Sequence, residues 1–211
     1  MRAKHIRIVM DDGGILVDDE ASYLNLVSKV AGRPISKKDL EKMTSRKRDS
    51  LEGKSGIIDL ANEETLKPEF CRNMLACAGA VEGMDALMQA ADVYVATTPV
   101  HNAPTWAHDR KLWLNAHFNI PENKIVSLDD KFILSADIYV DNNASRVLEW
   151  EDMNPQGLGV LWNELSDENR ESDLVRIFDW DSLMLLVKAV ARTRNARRSR
   201  LGAPSCGIRD V

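Results

Sequence analysis

Four clusters of polar residues each follow a short apolar run in this sequence, and their carboxylates, hydroxyls and lysine could together form a catalytic site. The clusters are Asp11-Asp12-Gly13-Gly14, Thr97-Thr98-Pro99, Asp129-Asp130-Lys131 and Asp141-Asn142-Asn143. Ligands of an open α/β sheet bind just beyond the carboxyl ends of its strands, so a carboxylate at such a position faces a site. Threonine hydroxyls and turn N–H groups there can donate to a phosphate oxygen. The clusters therefore predict one site built at several strand ends.

The first cluster has a second interpretation when it is taken alone. The run from Ile6 to Met10 is apolar apart from Arg7 and stops at Asp11, which is typical of a buried parallel strand. Asp-Asp-Gly-Gly is also ordinary turn chemistry, because Gly supplies positive φ and Asp bonds its own backbone. The three later clusters favour the functional interpretation.

The elements that must position these clusters alternate along the chain, which predicts an α/β fold with a doubly wound, mainly parallel, Rossmann-like sheet of about five strands. Strands are expected at 6–10, 92–96, 124–128, 136–141 and 157–162, with a short edge strand at 175–178. Helices are expected at 20–31, 81–91, 104–118 and 180–190.

Residues 20–78 interrupt this alternation with polar, mostly helical sequence and no convincing strand after residue 33. We predict a small helical cap here, inserted after the first strand, with one helix over 63–79. The core domain is then 1–19 together with 79–191. The cap is expected either to close over a substrate and exclude water, or to be an ordinary helical elaboration.

The end of the chain, 192–211, is basic and rich in Gly, Pro and Ser after its arginines. Such a composition predicts a disordered tail, either a solvated extension or a weak nucleic-acid contact.

Composition excludes several classes of function. The chain has 211 residues, 44% of them hydrophobic and 29% charged, and it has no apolar stretch near the roughly 20 residues of a membrane span. A net charge of −5 argues against general nucleic-acid binding by the domain. Cys71, Cys77 and Cys206 are odd in number and lack metal-ligand spacing, so we predict reduced thiols and a cytoplasmic location.

The four clusters resemble the motifs of the haloacid dehalogenase superfamily of phosphatases, and most closely those of the 5′(3′)-deoxyribonucleotidases. The resemblance covers about 5–18 and 79–143 and is weak in the cap and in the last quarter of the chain. The segments that carry it are IRIVMDDGGILVD (6–18), DVYVATTP (92–99) and KIVSLDDKFILSADIYVDNN (124–143).

The resemblance implies that Asp11 attacks phosphorus and forms an aspartyl-phosphate, which divides one difficult hydrolysis into two easier steps. It implies that Thr97, Thr98 and Lys131 hold the equatorial phosphate oxygens, with Arg110 assisting, because phosphoryl transfer depends on positioning and charge stabilisation.

The resemblance also implies a Mg²⁺ site. Its ligands are expected from the Asp11 carboxylate, the Gly13 carbonyl and the fourth cluster, where Asp141 and Asn142 are the candidates. Mg²⁺ takes octahedral oxygen ligands and uses few protein carboxylates, so water and phosphate would supply the rest.

The sequence departs from the family at two positions. The acid that protonates the leaving alcohol, two residues after the nucleophile, is here Gly13, and the usual metal-binding acid of the fourth motif is here Asn142. A positioned general acid contributes typically about 10²- to 10⁴-fold to a rate. An amide oxygen can bind Mg²⁺ but lacks the negative charge.

Three functions stay open at this stage. The first is a Mg²⁺-dependent phosphatase acting on a small phosphomonoester, in the first place a (deoxy)nucleoside 5′-monophosphate. The second is a carbon–phosphorus or carbon–halogen hydrolase, since such members of the superfamily also lack the acid. The third is a catalytically silent relative that binds a phosphorylated ligand. The expected partner is a small phosphorylated substrate, with a homodimer left open and no membrane association.

Overall fold

The computed structural model describes residues 6–49, 56–162 and 173–201. Its strands are β1 Arg7–Asp11, β2 Val17–Asp18, β3 Leu75–Ala76, β4 Asp92–Thr97, β5 Ile125–Ser127, β6 Ile138–Asp141, β7 Leu158–Trp162 and β8 Val175–Ile177. Its helices are α1 Asp19–Ala31, α2 Lys37–Asp49, α3 Ile57–Thr65, α4 Pro68–Arg72, α5 Ala80–Ala90, α6 Trp106–Phe118, α7 Ala144–Met153 and α8 Trp180–Leu201. Two 3₁₀ turns lie at Glu122–Lys124 and Lys131–Ile133.

Six strands form one parallel sheet in the order β5-β4-β1-β6-β7-β8. The chain winds outward from β1 to one edge through β4 and β5, and then to the other edge through β6, β7 and β8. The strand order therefore reverses between β1 and β6, which is the switch point where open α/β sheets bind ligands. The predicted doubly wound fold is confirmed, with the short edge strand included.

Alternating residues of the strands supply the two faces of the sheet, as period-two geometry requires. In β1, Ile8 and Met10 pack with residues of α5, α6 and α8, whereas Val9 packs on the other face with Val147 and Trp150 of α7. Helices thus cover both faces of the sheet.

The region predicted as a cap contains α1, α2, α3 and α4 and differs from the prediction in two ways. The helix expected over 63–79 is broken, because Pro68 lacks a backbone N–H and begins a new helix at its first turn. Leu75–Ala76 then forms β3, which pairs antiparallel with β2. The expectation of no strand after residue 33 was therefore wrong. Residues 50–55 lie outside the described residues.

The helix α8 continues to Leu201, beyond the expected end at 190, so the first part of the tail predicted to be disordered is helical. Residues 202–211, with Cys206, lie outside the described residues. Cys71 and Cys77 form no disulfide, and burial raises the pKa of both thiols to about 11. Among the residues described, none of the helices has the length and apolarity to cross a membrane.

A buried carboxylate ties α4 to α6. Asp109 of α6 is fully buried and accepts hydrogen bonds from Arg72 Nε of α4 at 2.8 Å and from Thr105 Oγ1 at 2.6 Å. Burial alone would raise the pKa of Asp109, but these hydrogen bonds hold it below its ordinary value of 3.8.

We expect Asp109→Asn to lower the free energy of unfolding at pH 7 by roughly 1–2 kcal/mol, since a charge-assisted pair becomes a neutral one. A carboxylate whose pKa is depressed by folding stabilises the protein above its unfolded pKa, and this contribution is lost as pH falls through the folded value. Urea unfolding between pH 5 and pH 2 should therefore show a smaller loss of stability for Asp109→Asn than for the unmodified chain. The exposed Asp152→Asn serves as the control, and parallel curves for Asp109→Asn and the unmodified chain would contradict the assignment.

Candidate active site

The site is built around Asp11, the last residue of β1. Its carboxylate is 5% exposed and forms an ion pair with the Lys131 ammonium, which is 3% exposed and lies in the 3₁₀ turn that follows β5. Arg146, in the first turn of α7, places Nη1 3.8 Å from Asp11 Oδ2. Both oxygens of this carboxylate therefore face a cation.

A second charged group lies on the α6 side of Asp11. Asp12 is 4% exposed, and its Oδ2 lies 3.3 Å from Arg110 Nε. The Arg110 guanidinium packs over the rings of Trp106 at 4.7 Å and Trp113 at 5.8 Å, and these contacts hold it in place. Desolvation raises the pKa of Asp12, and Arg110 opposes that shift.

A cavity of about 260 Å³ opens between these two groups. It is lined by Asp11, Asp12, Gly13, Asp19, Thr98, Trp106, Arg110, Asn142 and Arg146. Several buried polar atoms at or beneath it have no hydrogen-bond partner among the described residues, namely Asp12 Oδ2, Thr97 Oγ1, Thr98 Oγ1, Arg110 Nε and Arg110 Nη1. Buried polar atoms are normally paired. Arg110 Nε faces Asp12 Oδ2 at 3.3 Å, so Thr98 Oγ1 and Arg110 Nη1 are the open donors of cavity-lining residues, and they indicate an anionic ligand.

The predicted metal-site residues fall into two groups. Asp11, Gly13 and Asn142 line the cavity, whereas Asp141 is fully buried beneath it. Asp141 Oδ2 accepts a hydrogen bond from Tyr139 Oη at 2.6 Å, and Oδ1 accepts one from Asn143 N at 2.9 Å. Burial and the charge of Asp11 raise the pKa of Asp141. Asp141 thus fixes the end of β6 and the start of α7.

The oxygen donors at the cavity are of the types that bind Mg²⁺. Asp11 offers a carboxylate, Gly13 a backbone carbonyl and Asn142 an amide, and hard cations take oxygen ligands of these types together with water. The described residues contain no cluster of three or more His, Cys, Asp or Glu side chains that could hold a metal. A cation here would therefore depend on few protein ligands.

Of the phosphate-site residues predicted from the sequence, Asp11, Thr98 and Arg110 line the cavity. Thr97 and Lys131 are buried and do not line it, and Lys131 pairs with Asp11. Asp19 and Arg146 also line the cavity, and sequence reasoning missed them. Asp19 begins α1 directly after the N-cap residue Asp18, and acids are common in the first turn of a helix, so its type and position carry no catalytic signal. Arg146 lies one turn after the fourth cluster, and that position was its only signal.

Residues 4–193 match the family described as 5′ nucleotidase, deoxy (Pyrimidine), cytosolic type C protein. The chain belongs to this family. Among its relatives, the chain is 27% identical over 116 residues to a 5′(3′)-deoxyribonucleotidase of Bacillus subtilis strain 168 and to one of Bacillus phage SPbeta. Each match covers 54% of this chain and 63% of the relative, which is less than two thirds of the relative's length.

Solved structures show that the chain shares the fold of haloacid dehalogenase-like hydrolases. YfnB of Bacillus subtilis, described as a HAD-hydrolase bound to magnesium, has a TM-score of 0.61 and 12% identity, covering 87% of this chain and 98% of that one. A haloacid dehalogenase-like protein of Burkholderia xenovorans LB400 has a TM-score of 0.56 and 12% identity, covering 88% and 98%. At these identities the likeness concerns the fold alone.

Two glycines with almost the same φ allow the position of Asn142 to be tested. Gly14 has φ +65°, and a Cβ built on it would lie 2.4 Å from Asn142 Nδ2. Gly32, at the end of α1, has φ +66° and no atom within 4 Å of its Cβ.

We expect Gly32→Ala to cost about 1 kcal/mol of unfolding free energy from left-handed strain alone. Gly14→Ala should cost a further ~1–3 kcal/mol, because the new methyl group displaces the Asn142 amide. Urea unfolding of the two variants measures the difference. Equal losses would mean that Asn142 does not pack against Gly14.

Proposed function

We propose that this chain is a phosphomonoester hydrolase whose substrate is a small phosphorylated molecule, in the first place a (deoxy)nucleoside 5′-monophosphate. The observation that carries the proposal is the buried Asp11 carboxylate beside open hydroxyl and guanidinium donors at one cavity. A nucleophile and an anion cradle at the sheet's switch point are what phosphoryl transfer to an aspartate requires. The names of the family and of the Bacillus relatives support the nucleotide, and the family's name supports a cytoplasmic location.

In the proposed reaction, an Asp11 oxygen attacks phosphorus while the bond from phosphorus to the substrate oxygen breaks. Thr98 and Arg110 hold the equatorial oxygens from the α6 side, and Lys131 does so from the α7 side, where negative charge accumulates. Water then attacks the aspartyl-phosphate, releases phosphate and restores the Asp11 carboxylate.

Mg²⁺ is proposed to bind Asp11, the Gly13 carbonyl and Asn142, and it would supply charge neutralisation between the nucleophile and the phosphate. Asp141 is proposed to act on this site indirectly, because Tyr139 and Asn143 occupy its oxygens.

A carbon–phosphorus hydrolase of this superfamily needs a cap lysine to form a Schiff base with its substrate. No lysine of the described cap residues lines the cavity, so the missing acid at Gly13 is the sole observation in favour of carbon–phosphorus cleavage among the described residues. The absence of a side chain at Gly13 favours a binding protein as the second candidate, and the assays below separate it from an enzyme.

We expect Asp11→Asn to abolish hydrolysis of p-nitrophenyl phosphate, because an amide oxygen cannot serve as the nucleophile. The unmodified chain should also form an acid-stable, hydroxylamine-labile phosphoenzyme that the variant lacks. Asp130→Asn, at an exposed residue next to Lys131, removes the same charge and should keep the activity.

Turnover by Asp11→Asn at the unmodified rate would exclude the aspartyl-phosphate mechanism. Binding of inorganic phosphate in calorimetry, without hydrolysis by the unmodified chain, would favour the binding protein.

We expect Asn142→Asp to tighten Mg²⁺ binding in isothermal titration calorimetry, because it adds one negative charge to the proposed ligand set. Asn143→Asp adds the same charge one residue further on, at a side chain that accepts a hydrogen bond from Arg146 N at the start of α7. The control should change the affinity much less. Equal affinities for Asn142→Asp and the unmodified chain would show that residue 142 does not touch the metal.

A further inference from the structure

The absence of an acid at Gly13 leaves a leaving alkoxide without an obvious proton donor. A Cβ built on Gly13 would lie 2.9 Å from Asp19 Oδ2 and 3.9 Å from Asp11 Oδ2. A side chain at position 13 would therefore extend into the space next to Asp11, where the carboxylate of Asp19 lies.

The loop between β1 and α1 brings the Asp19 carboxylate next to Gly13. Gly14 N donates to Val17 O at 2.9 Å, and Val17 N donates back to Asp12 O at 2.9 Å, so the chain reverses tightly after the nucleophile. Asp18 then accepts a hydrogen bond from Ala21 N at 2.9 Å and starts α1. Asp19 is the first residue of that helix, and the reversal brings it over Gly13.

The Asp19 carboxylate is both held and accessible. Arg110 Nη2 lies 4.0 Å from Asp19 Oδ1, and the side chain of Asp19 is 52% exposed. It lines the same cavity as Asp11. Asp12, the other carboxylate besides Asp11 that lines this cavity with Asp19, is 4% exposed and faces Arg110 Nε, so it is badly placed to reach a leaving group.

We propose that Asp19 is the proton-transfer residue of this site and acts from α1 in place of a side chain at position 13. The inference rests on the proposed phosphatase function. As the bond from Asp11 to phosphorus forms and the bond to the substrate oxygen breaks, the Asp19 carboxyl gives its proton to that oxygen. In the second step the Asp19 carboxylate takes a proton from water while the water oxygen attacks phosphorus and the Asp11 oxygen leaves.

The test compares two substrates that differ in their need for a proton. The phenolate of p-nitrophenyl phosphate leaves without protonation, whereas the alkoxide of thymidine 5′-monophosphate needs it. We expect Asp19→Asn to lower kcat/KM for the nucleotide by about 10²- to 10⁴-fold and to change kcat/KM for the aryl phosphate only a few-fold, because kcat/KM reports formation of the phosphoenzyme and not its hydrolysis, which is the same for both substrates.

Glu20→Gln is the matched control, because it removes the same charge from the next residue of α1, at an exposed side chain paired with Lys37. It should leave both substrates unchanged. A structural or purely electrostatic role of Asp19 would lower kcat/KM for both substrates by the same factor, and that result would overturn the proposal.

A swap of the two positions gives a second test. Gly13→Asp alone should not speed nucleotide hydrolysis, because its side chain meets the Asp19 carboxylate. In the Asp19→Ala background the space is open, so Gly13→Asp should restore nucleotide turnover above that of Asp19→Ala. A double variant no faster than Asp19→Ala would count against the proposal.

The two proposals fail in different ways. If the unmodified chain hydrolyses neither substrate, the phosphatase function and the role of Asp19 are both wrong. If the aryl phosphate is hydrolysed through Asp11, and Asp19→Asn treats both substrates alike, only the role of Asp19 is wrong.

Discussion

The buried ion pair between Asp11 and Lys131 is the interaction on which the rest of the site depends. Asp11 ends the strand at the centre of the sheet, with a neighbour on each side, and a lone carboxylate there would be costly to desolvate. The lysine that compensates it comes from the turn after β5. Trp150 Nε1 of α7 donates to Leu134 O of the same loop at 2.7 Å, so helix packing helps to hold the cation at the nucleophile.

Much of this arrangement could be predicted from the sequence because it depends on strand ends. A short apolar run that stops at Asp11 or Thr97 defines a parallel strand, and the carboxyl ends of parallel strands meet at one edge of a sheet. The two-residue strands β2 and β3 could not be predicted in this way. Val17–Asp18 and Leu75–Ala76 are too short to show any periodicity, and their pairing joins segments far apart in the sequence.

The sequence could not show that Asp141 is buried and hydrogen-bonded while Asn142 lines the cavity. Side chains two apart on a strand lie on the same face, so Asp141 receives the hydroxyl of Tyr139, and the next residue turns to the cavity. Which of the two faces the cavity depends on where the strand ends, and that is uncertain by a residue or two in a sequence. The position of Asp19 was harder still to predict, because it depends on the tight reversal of the chain after Asp12, which brings Asp19 over Gly13.

The two departures from the family have different structural consequences. The space at Gly13 is filled by another carboxylate, that of Asp19, so the charge near the nucleophile is kept although its position in the chain changes. At Asn142 the lost charge has no such substitute among the residues that line the cavity beside it. The neighbouring helix instead brings the Arg146 guanidinium to within 3.8 Å of Asp11 Oδ2. Fixed cations therefore face the nucleophile on two sides, but three aspartates and two arginines line the cavity, so a bound cation would help to offset the negative charge that a phosphate dianion meets there.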